Sequence, residues 1–169
     1  MKRDLEWLNS LTEDEAFKEF QACCGSRSWA TEMVNARPFD NVDQLNTVAR
    51  DVWWKLESSD WLEAFRSHPK IGQKKPEAAG SQKAQQWSGQ EQSGVQNAAR
   101  QTMDSIAQLN EEYEARFGYI FIVCATGKSS EEMLAILQDR LANDPGDELR
   151  IAAEEQTKIT ELRLEKLMR

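Results

Sequence analysis

Residues 42–56 have the sequence VDQLNTVARDVWWKL, which decides the fold class of the chain. Its apolar residues recur at intervals of three and four, and Trp53 widens the stripe that they form. Such spacing places apolar side chains on one face of an amphipathic helix. The helical period dominates the chain, so we expect an all-α fold, with one compact domain of roughly seven to nine helices over residues 1–169. The stripe consists of Val42, Leu45, Ala49, Val52 and Leu56.

Two earlier helices are bounded by capping residues and helix breakers. Thr12 followed by Glu15 has the pattern of a capping box, and Gly25 is a suitable stop for the helix that it begins. A shorter helix is expected from Trp29 to the Arg37-Pro38 boundary. The residue before a proline is disfavoured in helical conformation, which sets that boundary.

The same signals continue downstream. Ser59 or Asp60 is expected to cap a helix that ends at His68, because a proline follows the histidine. A long helix is expected over about residues 91–117, closed by Gly118. Between these two helices, residues 69–80 hold two prolines, two glycines and three lysines and are expected to form a loop, and helical sequence resumes near Ser81.

The C-terminal part of the chain alternates helices with short connections. Residues 119–125 are strand-like, but nothing obvious pairs with them, so we expect one short, extended, buried connector. Helices are expected over residues 130–141 and about 148–168, with a turn at 143–146. Asn110, on an otherwise apolar stripe, is interpreted as a buried amide that bonds to loop backbone.

Composition excludes several classes of protein. The chain has 21 basic and 29 acidic residues and a net charge of −8, which argues against affinity for nucleic acid or anionic membranes. No apolar run approaches the roughly 18 residues of a membrane span, and no signal peptide is expected. Three cysteines without framework spacing suggest reduced thiols and a cytoplasmic location. One histidine and scattered cysteines do not have the spacing of a metal site.

The only histidine of the chain lies in the stretch Ser67-His68-Pro69-Lys70-Ile71-Gly72. Histidine suits proton transfer near neutral pH, because its unperturbed pKa is about 6.5. Five basic residues and one acid occur between Arg66 and Lys83. That segment suits a small anionic ligand, although charge alone favours a solvated loop. His68 is therefore the candidate acid or base, and a purely structural histidine is the alternative.

Two further side chains could act with this histidine. Ser88 and Glu91 have the spacing of a capping box, which by itself favours a helix cap over a role in proton transfer. Arg163 lies on one face of the last predicted helix, where a guanidinium needs either a protein carboxylate or a substrate carboxylate. The other residues of that face, at intervals of four, three and four, are Ala152, Gln156 and Ile159.

Five motifs occur in an order that resembles one family. Together they resemble 2-oxo-4-hydroxy-4-carboxy-5-ureidoimidazoline (OHCU) decarboxylase, the last enzyme of the uricolytic pathway. The resemblance runs from about Phe17 to Leu164. The motifs are His68-Pro69-x-Ile71-Gly72, Ser88-x-x-Glu91-Gln92, Leu109-Asn110-x-x-Tyr113-x-x-x-Phe117-Gly118, Phe121-Ile122-Val123-Cys124-Ala125 and Arg163-Leu164.

The resemblance implies an all-α enzyme without a cofactor, commonly homodimeric, that converts OHCU to (S)-allantoin with release of CO2. It implies that His68 is the catalytic acid or base, that Glu91 is its partner as well as a possible cap, and that Arg163 binds the anionic substrate. The residues that it implies around the substrate are Pro69, Ser88, Gly89, Gln90, Glu91 and Gln92, with the backbone of Phe121, Ile122, Val123, Cys124 and Ala125.

Two other functions are compatible with the same sequence. An acidic helical domain could be a non-catalytic interaction module that uses surface tryptophans as anchors. A lyase acting on a related ureido acid is the second alternative. The decarboxylase interpretation expects a small anionic substrate, a homodimer, no cofactor, no metal, no nucleic acid and no membrane. It also expects one pocket that joins His68, Glu91 and Arg163.

Overall fold

The computed structural model describes residues 2–71, residue 87 and residues 100–169. Eight α-helices and no β-strand lie within these ranges, so the predicted all-α fold class is confirmed. Over the same residues, no helix is both long enough and apolar enough to cross a membrane. The helices are α1 (Leu5–Ser10), α2 (Glu13–Cys24), α3 (Arg27–Asn35), α4 (Val42–Lys55), α5 (Ser58–Arg66), α6 (Arg100–Phe117), α7 (Ser130–Leu141) and α8 (Pro145–Leu167).

The first two helices begin at side-chain caps. In α2, the reciprocal bonds of the capping box between Thr12 and Glu15 are both present, and Gly25 ends the helix with φ of 89°. Both predictions are therefore confirmed. Helix α1 was missed, because its 6 residues are too few to show a helical period. Its cap is Asp4, whose carboxylate accepts from the backbone N–H of Trp7 at 3.0 Å.

The predicted bounds of α5 are wrong at both ends. Ser59 and Asp60 lie inside the helix, which begins at Ser58. The Asp60 carboxylate instead accepts from the backbone N–H of Glu57 at 3.3 Å, a favourable place for an acid near a helix N-terminus. The helix ends at Arg66, two residues before the predicted end at His68.

The predicted start of α8 is also wrong. The helix begins at Pro145 rather than near residue 148, so the predicted turn at 143–146 is partly helical. A proline fits the first helical position because its missing N–H has no intrahelical partner there. The residues expected to continue α6 upstream, 91–99, lie outside the described residues.

The described residues form two compact units. The first contains the residues through Ala64 together with Thr157–Arg169. Its core is aromatic: the rings of Phe20 and Trp29 meet edge to face at 5.9 Å, and both residues are fully buried. The indole N–H of Trp29 donates to the carbonyl of Ala49 at 3.0 Å, so the polar atom of the buried ring is satisfied.

The second unit comprises Phe65–Gln156. Its core forms where α6, the connector at residues 119–125 and α7 meet, with the rings of Tyr113 and Phe121 at 5.5 Å. The connector has no regular secondary structure and is buried from Phe121 to Ala125. The predicted buried connector is therefore confirmed.

Candidate active site

His68 lies two residues after the end of α5, in the second unit. Its backbone N–H donates to the carbonyl of Phe65 at 3.2 Å, so the chain turns here and leaves the helix. Pro69 explains the turn, because the residue before a proline is disfavoured in helical conformation. Both His68 and Pro69 are half-buried, so the histidine is neither sealed in the core nor fully solvated.

The imidazole of His68 has a partner on α8. Its Nε2 lies 2.7 Å from Oε1 of Gln156, a residue with no exposed surface. Sequence analysis placed Gln156 on the inner face of the last helix but gave it no role. The contact joins residues that are 88 positions apart, and a short helical period carries no information on such a distance.

Helix α6 holds the segment that follows the histidine. The side-chain amide of Asn110 is buried and donates to the carbonyl of Ile71 at 2.6 Å, which confirms its interpretation as a buried amide bonded to loop backbone. Lys70 forms an ion pair with Glu114, with 2.6 Å between nitrogen and oxygen. One cation of the predicted basic segment is thus paired with a protein carboxylate. The others after residue 71 lie outside the described residues.

Side chains from α7, from α8 and from the loop that joins the connector to α7 bind the backbone of the connector at residues 119–125. The carbonyl of Ile122 accepts from Arg140 at 2.5 Å. The backbone N–H of Cys124 donates to the carboxylate of Glu155 at 3.2 Å, and its carbonyl accepts from Lys128 at 2.7 Å. These bonds satisfy buried backbone groups that lack a strand partner, which is why an extended segment can lie inside the unit.

A buried ionic cluster lies beside the connector. Arg140 forms an ion pair with Glu148, and the guanidinium Nε lies 2.9 Å from the nearer carboxylate oxygen. Tyr113 donates its hydroxyl hydrogen to the same carboxylate, and the guanidinium carbon lies 4.6 Å from the centre of the Phe121 ring. The cluster therefore links α6, α7 and α8 to the connector.

Burial governs the electrostatics of this cluster. It raises the pKa of the Tyr113 phenol, and the positive charge of Arg140 opposes this shift only in part. For Arg140, burial alone would lower the pKa, but the hydrogen bond to Glu148 and the nearby negative charge outweigh it, so the pKa of the guanidinium is raised. Tyr113 is therefore a neutral donor, and Arg140 keeps its charge.

Arg140 and Glu148 were not predicted as a pair, although the sequence of α7 contains a signal for Arg140. Arg140 follows Met133 and Leu137 at intervals of four and three, which places it on the buried face of α7. That is the reasoning applied to Arg163, and it would have identified a second guanidinium in need of an anion. Glu148 precedes Ala152 by four residues on α8, so its position on the inner face could be predicted, but its pairing with Arg140 could not.

Arg163 lies on α8 in the first unit and is 1% exposed, so its predicted core-facing position is confirmed. The positive charge of Arg163 acts on the thiol of Cys24. Burial raises the pKa of the Cys24 thiol to about 12, while hydrogen bonds from Ser26 and Thr160 and the charge of Arg163 act in the opposite direction. The carboxylate partner of Arg163 stays a prediction.

The remaining predicted site residues lie outside the described residues. They are Ser88, Gly89, Gln90, Glu91 and Gln92. The partnership of Glu91 with His68, and the pocket that would join both to Arg163, therefore stay predictions.

Comparison with known proteins defines the family. A sequence model described as OHCU decarboxylase matches residues 9–165 of the chain. This range holds His68, the connector and Arg163. The chain belongs to the OHCU decarboxylase family.

Individual relatives are similar over most of this chain. It is 39% identical over 150 residues to the uric acid degradation bifunctional protein TTL of Arabidopsis thaliana, across 88% of this chain and 46% of the plant protein. It is 26% identical over 161 residues to the 2-oxo-4-hydroxy-4-carboxy-5-ureidoimidazoline decarboxylase of Haloferax volcanii, across 95% of this chain and 93% of that protein.

A solved structure has the same fold. It is a crystal structure of OHCU decarboxylase in the presence of (S)-allantoin, with 38% sequence identity and a TM-score of 0.77. The match covers 89% of this chain and 97% of that chain. The present chain thus spans less than half of the bifunctional plant protein and nearly the whole of this decarboxylase.

Proposed function

We propose that this chain catalyses the decarboxylation of OHCU to (S)-allantoin in urate degradation. The observation that carries the proposal is the family match over residues 9–165, which includes the only histidine of the chain. The Haloferax volcanii relative is named for this activity, and the 38% identical structure was determined in the presence of (S)-allantoin.

The proposed reaction requires the protein only to position the substrate and to transfer protons. The bond between the carboxylate and its carbon breaks, CO2 departs, and the electron pair moves into the adjacent unsaturated ring centre. Loss of the hydroxyl proton then makes the first carbon a carbonyl, and a proton binds the neighbouring carbon that bears the ureido group. OHCU has an unsaturated ring centre next to the carbon that loses CO2, so the substrate supplies its own electron sink, and we infer that no cofactor takes part. The protein must hold the carboxylate out of the ring plane, manage the hydroxyl proton and protonate one face.

The proposed roles follow the family resemblance. His68 takes and returns the hydroxyl proton, and its half-buried position supports contact with both substrate and protein. Glu91 is its partner, and Pro69 lines the pocket together with residues 88–92. Arg163 binds the anionic substrate, and the burial of its guanidinium supports a strong interaction with a carboxylate.

The contacts of the connector show which of its backbone groups are already bonded to protein side chains. The backbone N–H of Cys124 donates to Glu155, and the carbonyl of Ile122 accepts from Arg140. We therefore propose that the connector offers the substrate backbone donors from residues 121–125 other than Cys124. Glu155 and Arg140 keep this backbone in place and do not themselves bind the substrate.

Assembly and location are part of the proposal. We propose a homodimer, which is common in the family that the motifs resemble, and sedimentation at micromolar concentration would test it. A cytoplasmic location is proposed because the three cysteines are present as reduced thiols, as expected of a protein in a reducing compartment.

Freshly oxidised urate supplies OHCU for a direct test. Ultraviolet absorbance follows the decay of OHCU, and circular dichroism detects the hand of the allantoin formed. The proposal predicts decay faster than the spontaneous reaction, with (S)-allantoin as product. A rate equal to the spontaneous one would contradict the proposal, and faster decay without (S)-allantoin would point to the alternative lyase.

Two variants test the proposed roles. His68→Asn should fold normally and lose roughly a hundredfold or more in turnover, the scale of general acid–base catalysis. Glu91→Gln keeps a side chain able to cap a helix, so a pure cap predicts little change and a catalytic carboxylate predicts a loss of similar size. Glu111→Gln, at an exposed position on α6, is the matched control and should keep full turnover.

A further inference from the structure

We infer that Gln156 is a positioning residue that fixes the tautomer of His68, so that Nδ1 is the ring atom that exchanges a proton. The catalytic consequence rests on the proposed function. The structural content, which nitrogen carries the hydrogen, does not depend on it.

The geometry of one hydrogen bond supports this inference. Nε2 of His68 lies 2.7 Å from Oε1 of Gln156. An amide oxygen only accepts hydrogen bonds, so the hydrogen must lie on Nε2. A neutral imidazole carries one N–H, and its second nitrogen then holds the lone pair. Nδ1 is therefore the basic atom of the neutral ring.

The position of Gln156 makes it a rigid support. It lies near the middle of α8, which has 23 residues, and it has no exposed surface. Its neighbour Glu155 is bonded to the connector at Cys124, which anchors the same turn of the helix. A side chain held in this way can fix the orientation of the ring as well as its tautomer.

A neutral amide differs in effect from a carboxylate at the same place. A carboxylate would favour the positively charged imidazolium, whereas an amide oxygen selects a tautomer without adding charge. The structure thus assigns the tautomer-fixing role to Gln156. Proton transfer is then the role that remains proposed for Glu91.

Nitrogen-15 spectroscopy tests the inference directly, because the chain has one histidine and its ring signals need no assignment. With an untagged chain at a pH where the ring is neutral, the proton-correlated nitrogen spectrum distinguishes the two tautomers. We expect the wild type to carry the ring hydrogen on Nε2 and none on Nδ1. Hydrogen on Nδ1 would overturn the inference without any variant being made.

Gln156→Met removes the acceptor and keeps the length of the side chain. The ratio of the Nε2–H to the Nδ1–H tautomer should fall about fivefold, which corresponds to the net value of one hydrogen bond, about 1 kcal/mol. Gln138→Met, at an exposed position on α7, should leave the ratio unchanged. An unchanged ratio in a folded Gln156→Met variant would overturn the inference.

Turnover provides the second readout. Gln156→Met should lower kcat by roughly ten- to a hundredfold, because the base is misplaced, with KM changed much less. A raised KM with unchanged kcat would contradict a positioning role. A chain that shows the fixed tautomer but does not accelerate OHCU decay would overturn the proposed function alone. A chain that accelerates the decay with a mixed tautomer would overturn only the inference about Gln156.

Discussion

Replacing Arg140 with methionine should destabilise the protein strongly, because it would leave a carboxylate in the core without its ion-pair partner. Arg140 is 6% exposed and Glu148 is 0% exposed. The guanidinium Nε lies 2.9 and 3.1 Å from the two carboxylate oxygens, and Nη2 lies 2.5 Å from one of them. In the variant, the donors to this carboxylate among the described residues would be Tyr113 and Asn143.

The size of the effect follows from these contacts. Removing one partner of a buried ion pair costs about 3–5 kcal/mol of the free energy of unfolding. The carbonyl of Ile122 also loses the donor that lies at 2.5 Å, and this loss pushes the cost toward the upper end of the range. In a chain of this size each kcal/mol corresponds to about 2–4 °C, so the Tm should fall by roughly 6–20 °C.

Urea unfolding at neutral pH measures this change, and two further variants make the result interpretable. Arg150→Met removes an arginine of α8 whose side chain is 71% exposed and pairs with Glu154, so its cost should stay within about 0.5 kcal/mol. Arg140→Met combined with Glu148→Leu removes both charges, so its cost should be less than the sum of the two single variants by at least about 1.5 kcal/mol. Additive costs, or a loss below about 1 kcal/mol for Arg140→Met, would refute the reasoning.

Three further predictions follow from the buried polar groups and caps. Asn110→Leu removes the donor to the Ile71 carbonyl and should lower the free energy of unfolding by about 1–3 kcal/mol in urea melts, and an unchanged stability would contradict the role of that bond. The three cysteines should react with a thiol reagent only on unfolding, because all three are buried and burial raises the pKa of Cys24 to about 12. Rapid labelling of the native protein would contradict their buried positions. Bonds from the backbone and hydroxyl of Thr12 lower the pKa of Glu15, so its charge stabilises the fold above the unfolded pKa and this contribution is lost as pH falls. The stability advantage of the wild type over Glu15→Gln should therefore vanish toward about pH 3, and an advantage that grew with acidity would show that the sign is wrong.

Long periodic elements could be predicted from the sequence because their evidence is local. The apolar stripe of α4 spans several turns, and its predicted bounds differ from Val42–Lys55 by one residue. The cap at Thr12 depends on a spacing of three residues and is found as expected. The connector at residues 119–125 was predictable because an isolated apolar run cannot form a sheet alone.

The errors arose where one residue type serves two positions. Asp60 can cap a helix or lie in its first turn, and the structure shows the second. Pro145 can form a turn or occupy the first position of a helix, and again the structure shows the second. A single sequence gives the residue but not the backbone angles that decide between such positions.

The candidate site was predictable by residue type but not by partnership. His68 stands out as the only histidine, and the proline after it favours a turn near the end of the helix. Its bond to Gln156 joins the turn after α5 to α8, and the pairing of Arg140 with Glu148 joins α7 to α8. No local spacing specifies which of these segments meet. The distinction matters for mechanism, since the partner of a histidine determines which of its nitrogens can act as a base.

Two adjacent residues of α8 hold two different parts of the second unit. Glu155 accepts from the backbone of Cys124, and Gln156 accepts from the ring of His68. Neighbouring positions on a helix point about 100° apart, so one turn of α8 can hold the histidine on one side and the connector on the other. Their separation is then set by the backbone of a single helix. A shift of α8 along its axis would move both together, which preserves the distance between the proposed base and the proposed substrate-binding backbone. Substitutions at Gln156 should therefore change the state of the imidazole while the contacts of the connector persist, and substitutions at Glu155 should do the reverse.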